Sequence, residues 1–134
     1  MLSENQTAPV RKTTLWLGRI MSVLPTLFLL MDAIMKLVKP DFVVKATMDL
    51  GYPESAILGL GIVLLASTVL YLIPQTAVLG AILLTGYLGG AVAAHVRVED
   101  GLFAIVFPVI FGALLWGGLY LRDQRLRSLI PWRN

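Results

Sequence analysis

No cysteine occurs among the 134 residues, and histidine occurs once, as His95. The missing thiols exclude a dithiol relay, a thiolate-held metal and a disulfide framework. A lone histidine cannot supply bis-histidine haem ligation, which leaves only a histidine–methionine pair for that chemistry. No group of residues has metal-ligand spacing, and the glycines lie inside apolar runs rather than in a phosphate-cradling loop. Charge is scarce too. Only 14% of the residues are Asp, Glu, Lys or Arg, against about 25% in soluble domains. Such a chain has too little polar surface to cover itself in water. The net charge of +3 is modest and sits toward the chain ends, a pattern that reflects membrane topology rather than nucleic-acid binding.

What the chain has instead is apolar length. Hydrophobic residues make up 57%, mean hydropathy is +0.82, and the apolar runs reach the ~18 residues of a transmembrane helix. The expected fold is all-α, a four-transmembrane-helix bundle with a short interfacial helix between spans 1 and 2. Residues 1–13 read as a disordered polar tail, 14–121 as the membrane domain and 122–134 as a basic tail. Arg11 and Lys12 precede an apolar run too long for a signal core, so span 1 is expected to serve as its own insertion signal.

Span 1 runs from Leu15 to Val38 and contains Arg19, Pro25, Asp32 and Lys36. Pro25 is expected to kink it or to end a first turn. In the following loop Asp41 and Gly51 are the cap candidates of a short amphipathic helix, and Pro53 suits the first position of span 2. Span 2 covers Ser55–Ile73 and is stopped by Pro74. Span 3 covers Ala77–Ala94, and a loop from Val96 to Gly101 leads to span 4, Leu102–Leu121, with Trp116 and Tyr120 as interface anchors.

Counting Lys and Arg places both termini in the cytoplasm. That side holds Arg11, Lys12, Arg122, Arg125, Arg127 and Arg133, with Arg19 snorkelling toward it; the other side holds Lys39, Lys45 and Arg97. Asp32, Lys36, His95 and Arg97 then share the outer half of the bundle. Tyr52, Asp49 and Glu54 are placed to close over them, and Tyr87 lies a little over two turns inward of His95. Asp32 and Lys36, four apart, suit an ion pair. A carboxylate at that depth faces the bundle or a wet cavity rather than lipid. The pair reads either as a register-fixing structural element or as part of a site. His95 reads either as a helix-end residue bonded to a loop carbonyl or Glu99, or as a titrating group. Gly86 and Gly90 form a GxxxG, flanked by Gly89 and Ala93, expected to pack within the bundle, with a homo-oligomer contact as the alternative. His95 shares the opposite face with Leu84, Leu88 and Ala91.

Several stretches resemble the DoxX-like family of small four-helix bacterial membrane proteins. They include Met31-Asp32-Ala33-Ile34-Met35-Lys36-Leu37, Leu50-Gly51-Tyr52-Pro53 and Tyr71-Leu72-Ile73-Pro74-Gln75-Thr76-Ala77. The most specific is Thr85-Gly86-Tyr87-Leu88-Gly89-Gly90-Ala91-Val92-Ala93-Ala94-His95-Val96-Arg97, and Trp116-Gly117-Gly118-Leu119-Tyr120-Leu121-Arg122-Asp123 completes the set. The resemblance spans roughly residues 15–130. It implies a bacterial inner-membrane location, a joint role for Asp32, Lys36, His95 and Arg97, and a link to quinone-dependent oxidase systems. The leading expectation is an outer-leaflet polar pocket lined by these four residues with Tyr52 and Tyr87, taking a small lipophilic ligand such as a quinone. Two other classes stay open. One is an accessory or assembly subunit of a larger membrane complex; the other is a small isomerase or hydrolase using Asp32 and His95 as acid and base.

Overall fold

A computed structural model describes residues 11–129. Of the polar tail expected over 1–13, residues 1–10 lie outside the described residues, as do the last residues, with Trp132 and Arg133, while residues 12 and 13 are already helical. Six α-helices make up the described chain: α1 (Lys12–Val38), α2 (Asp41–Asp49), α3 (Ile57–Leu72), α4 (Ala77–Arg97), α5 (Leu102–Arg122) and α6 (Gln124–Arg127). Short 3-10 turns, Glu54–Ala56 and Pro74–Thr76, lead into α3 and α4. Four of these segments are long and apolar enough to cross a bilayer. They run up and down as a four-helix bundle in which α1 packs on α3 and α5, and α4 packs on the same two.

Several boundaries differ from the sequence reading. Helix α1 begins at Lys12 and runs on through Pro25 without ending. Pro25 is buried, and Thr26 Oγ1 donates to the Ser22 carbonyl at 2.6 Å. Pro25 leaves the Met21 carbonyl without its i+4 amide, and burial against neighbouring helices lets a membrane helix tolerate that break. Asp41 is the first residue of α2 rather than its cap; Pro40 takes the cap position. Pro53, likewise, caps the 3-10 turn before α3 instead of starting a helix. Helix α4 continues one turn past Ala94, so His95 and Arg97 are helical and the loop shrinks to Val98–Gly101.

The core is a column of Leu29, Ala33, Leu64, Tyr71, Leu84 and Leu115, all nearly inaccessible. Around it the outward side chains are apolar, among them Leu24, Leu27, Ile34, Val63, Ile82 and Val109. An apolar surface of that extent has to be covered, and the hydrocarbon of a bilayer covers it.

Close helix contact uses other small residues than expected. Gly18 and Gly118 meet where α1 crosses α5: a Cβ on Gly118 would lie 2.7 Å from the Gly18 carbonyl oxygen and 2.9 Å from the Ser22 nitrogen. Gly80 sits directly on the backbone of Tyr71, and Gly61 on Ala33 and Lys36. At Gly86, Gly89 and Gly90 a Cβ would meet nothing within 4 Å, and Ala93 is exposed. Helix α4 turns the face carrying Ala77, Ala81, Leu84 and Leu88 inward. Its GxxxG stripe lies off that face and makes no close helix contact within the described residues.

At the crossing of α1 and α5 a polar chain runs through the buried interior. Arg122 Nε donates to Ser22 Oγ at 3.2 Å, Ser22 Oγ bonds Tyr71 Oη at 2.8 Å, and Tyr71 Oη donates to the Leu115 carbonyl at 2.6 Å. The Arg122 guanidinium also lies 5.5 Å from the centre of the Tyr71 ring. No buried side-chain polar atom among the described residues lacks a partner.

Candidate functional site

At the end of the bundle remote from residues 11 and 129, α1 and α4 face each other across a cavity of about 390 Å³. Its apolar walls come from Phe28 and Leu29 of α1, Leu60 of α3, and Phe107, Pro108 and Phe111 of α5. Phe28 meets Phe111 edge-on at 4.9 Å and Phe107 at 5.6 Å between ring centres, a geometry that favours ring contacts. The wall is therefore an aromatic corner one turn from the charged residues.

The polar end is built by three segments. From α1 come Asp32 and Lys36, bonded to each other at 2.5 Å, with side-chain exposures of 32% and 14%. The i, i+4 spacing puts both on the inward face. The segment after α2 contributes Tyr52, and α4 contributes Tyr87 and His95. Only one Asp32 oxygen is used by Lys36. Neither tyrosine hydroxyl hydrogen-bonds to a described residue, and neither is a buried orphan.

His95 is held from outside the cavity. Its Nδ1 is 2.7 Å from Asp100 Oδ2, where the sequence reading offered a loop carbonyl or Glu99. Glu99 adopts φ +56, turning the chain so that Asp100 comes back over the end of α4. The His95 hydrogen bond, and after it the Gly101 N–H, hold the Asp100 carboxyl below the usual carboxylate range. With Nδ1 bound to a carboxylate, Nε2 is left for other partners.

Of the six expected pocket residues, five line this cavity: Asp32, Lys36, Tyr52, Tyr87 and His95. Arg97 does not. Its guanidinium crosses to the Leu50 carbonyl at 2.5 Å and lies against Gly51. Glu54 stands 4.0 Å from Lys39, away from the cavity. Asp49 borders a second cavity of about 650 Å³ beneath α2, which shares Phe28, Asp32, Lys36, Thr47, Leu50 and His95 with the first. The two ion-bonded groups thus stand at the junction of two spaces. Asp32 and His95 are each bonded to another group, Lys36 and Asp100, and not to one another.

Sequence reasoning missed the phenylalanine wall, the Asp100 partner and the Arg122–Ser22–Tyr71 chain. Spacing of Phe103, Phe107 and Phe111 at every fourth residue was the available signal for the wall. Among the described residues no three His, Cys, Asp or Glu side chains cluster in a way that would hold a metal ion. The Trp116 indole, expected as an interface anchor, donates to Thr85 Oγ1 at 2.6 Å and ties α5 to α4.

The DoxX-like family model matches residues 20–118. That stretch covers all of α3 and α4, most of α1 and α5, and every cavity residue named above, so the chain belongs to the DoxX-like family. No curated protein and no solved structure matches it.

Proposed function

We propose that this DoxX-like membrane protein binds a small lipophilic molecule with a polar end, a quinone-type ring being the chemistry its cavity suits. The observation that carries the reading is one cavity with two kinds of wall. Phenylalanines line one part of it, and Lys36, Tyr52 and Tyr87 line its polar end. The volume of about 390 Å³ lies within the ~300–1,000 Å³ of small-molecule sites. A flat ring would lie along Phe28, Phe107 and Phe111. Its carbonyl oxygens would accept from the Lys36 ammonium and a tyrosine hydroxyl, and His95 Nε2 or the second Asp32 oxygen would take a hydroxyl proton on a phenolic form. The bond to Asp32 gives Lys36 a partner at membrane depth while leaving donors to spare.

The positive-inside count supports an orientation with both termini in the cytoplasm of the inner membrane, which puts the cavity in the outer leaflet. A membrane-complex partner would then meet the cavity from the outer side.

Decylubiquinone binding to the purified protein in lipid nanodiscs tests the reading. The parent chain is expected to bind it. Lys36→Met and Tyr87→Phe are each expected to weaken binding about tenfold, the worth of one hydrogen bond to or from a polar head. Binding in both variants indistinguishable from the parent would sink the proposal, as would a parent that binds neither this quinone nor its quinol.

A further inference from the structure

The cavity is bounded differently at two of its edges, and at Asp32, Lys36 and His95 it adjoins the second cavity beneath α2. Over its outer end lies a roof made by the end of α2 and the residues after it. Leu50 and Tyr52 of this roof line the cavity, and Gly51 stands between them. Gly51 has φ +96, the left-handed region where a Cβ is strained. It is also packed: a Cβ there would run into the Arg97 guanidinium. That guanidinium donates to the Leu50 carbonyl, so the last turn of α4 is bolted to the roof by a charge-assisted hydrogen bond. Arg97 thereby acts on the cavity without touching it, as a positioning residue for Leu50 and Tyr52.

The side wall on α4 has no such closure. Gly86 and Gly90, one turn apart, line the cavity and are exposed. A Cβ on either would meet nothing within 4 Å. At this edge the wall is bare helix backbone, and the surface beyond it faces hydrocarbon. A helix satisfies its own backbone hydrogen bonds, so such an edge is stable in lipid without side chains to cover it.

From the latched roof and the bare edge we propose that the cavity is reached from the bilayer, past Gly86 and Gly90, and not through the roof. This inference rests on the cavity being a binding site, and it narrows the ligand to amphiphiles already dissolved in the membrane. The ligand slides in sideways, its apolar part against the phenylalanines and its polar end toward Asp32, Lys36 and His95.

The absence of native cysteine makes a direct test possible. Ala91 lines the cavity one turn inward of His95, and Ala91→Cys creates the only thiol in the chain. In proteoliposomes its modification by octyl methanethiosulfonate, which dissolves in the bilayer, is compared with that by the charged trimethylammonium-ethyl reagent. The ratio of the two rates on one thiol cancels its intrinsic reactivity. The octyl reagent is expected to be severalfold faster. Adding Gly86→Leu and Gly90→Leu should slow the octyl reagent severalfold. Gly89→Leu, on the same exposed helix but outside the cavity lining, should not. Arg97→Ala should speed the charged reagent severalfold by freeing the roof. Faster reaction with the charged reagent in the otherwise unchanged chain overturns the proposal. So does equal slowing by Gly89→Leu, or a charged-reagent rate that ignores Arg97→Ala. These rates report access, not affinity, so a chain that fails to bind quinone but passes here refutes only the ligand reading.

Discussion

Asp100 illustrates how a helix-end side chain favours the ionised form of a loop carboxylate. It accepts from His95 and from the Gly101 amide, and both bonds favour its ionised form. Its folded value lies below its unfolded one. The stabilisation is therefore complete above the ordinary carboxylate range and is lost as pH falls through the lowered folded value. In carbon NMR of the parent protein, the Asp100 carboxyl is expected to titrate below an ordinary aspartate. In His95→Ala its titration should move up toward the ordinary range. An unmoved titration would mean that the His95 bond does not form. Lys36 and Arg122 follow another residue-scale rule. Each carries charge into the bundle only where a partner waits, Asp32 for the first and the Ser22 hydroxyl with the Tyr71 ring for the second.

At the scale of elements, contact distance decides which glycines matter. Gly118 lets α5 approach α1 until backbone meets backbone, with the Ser22–Tyr71 bond beside the crossing. Gly118→Ala is expected to destabilise the protein by about 1–3 kcal/mol through overpacking. Gly89→Ala has open space around it and should be neutral or stabilising by up to ~1 kcal/mol from helix propensity. Thermal unfolding of both variants in one detergent ranks them; a Gly89→Ala loss as large as that of Gly118→Ala would show that α4 packs through its glycine stripe after all. The last helix ends are closed by local devices. Asp123 accepts from the Arg125 and Leu126 amides at the start of α6, and Arg127 donates to the Tyr120 and Leu121 carbonyls at the end of α5.

For the whole molecule the decisive property is the apolar outer surface, which only a lipid solvent accommodates. Charge at the two ends is the basis for the proposed orientation. Arg11, Lys12, Arg19, Arg122, Arg125 and Arg127 gather where the described chain begins and ends, against Lys39, Lys45 and Arg97 at the cavity end. A reporter active only in the cytoplasm, fused after Asn134, is expected to be active, and one placed between Glu99 and Asp100 inactive. The reverse pattern would put the cavity on the cytoplasmic side.

Much of this was legible from residue order. Apolar runs of membrane length have to be helices, because hydrocarbon offers backbone groups no other partners, and Pro74-Gln75-Thr76 is too short to join anything but antiparallel neighbours. Once four spans alternate direction, Asp32, Lys36 and His95 must share one end, and the i, i+4 spacing alone pairs the first two. Rotation of each helix about its axis was not legible. Span 3 is apolar or small on every side, so periodicity could not say that Leu84 and Leu88 face inward by contact while Gly86 and Gly90 face lipid. Nor could spacing foresee that Arg97, two residues from His95, points to the Leu50 carbonyl, since that depends on where the α2 roof comes to rest. Sequence by itself determined the four spans and which residues share an end. Only the tertiary structure decided which faces touch, because in a membrane close fit, and not hydrophobicity, chooses the contact surface.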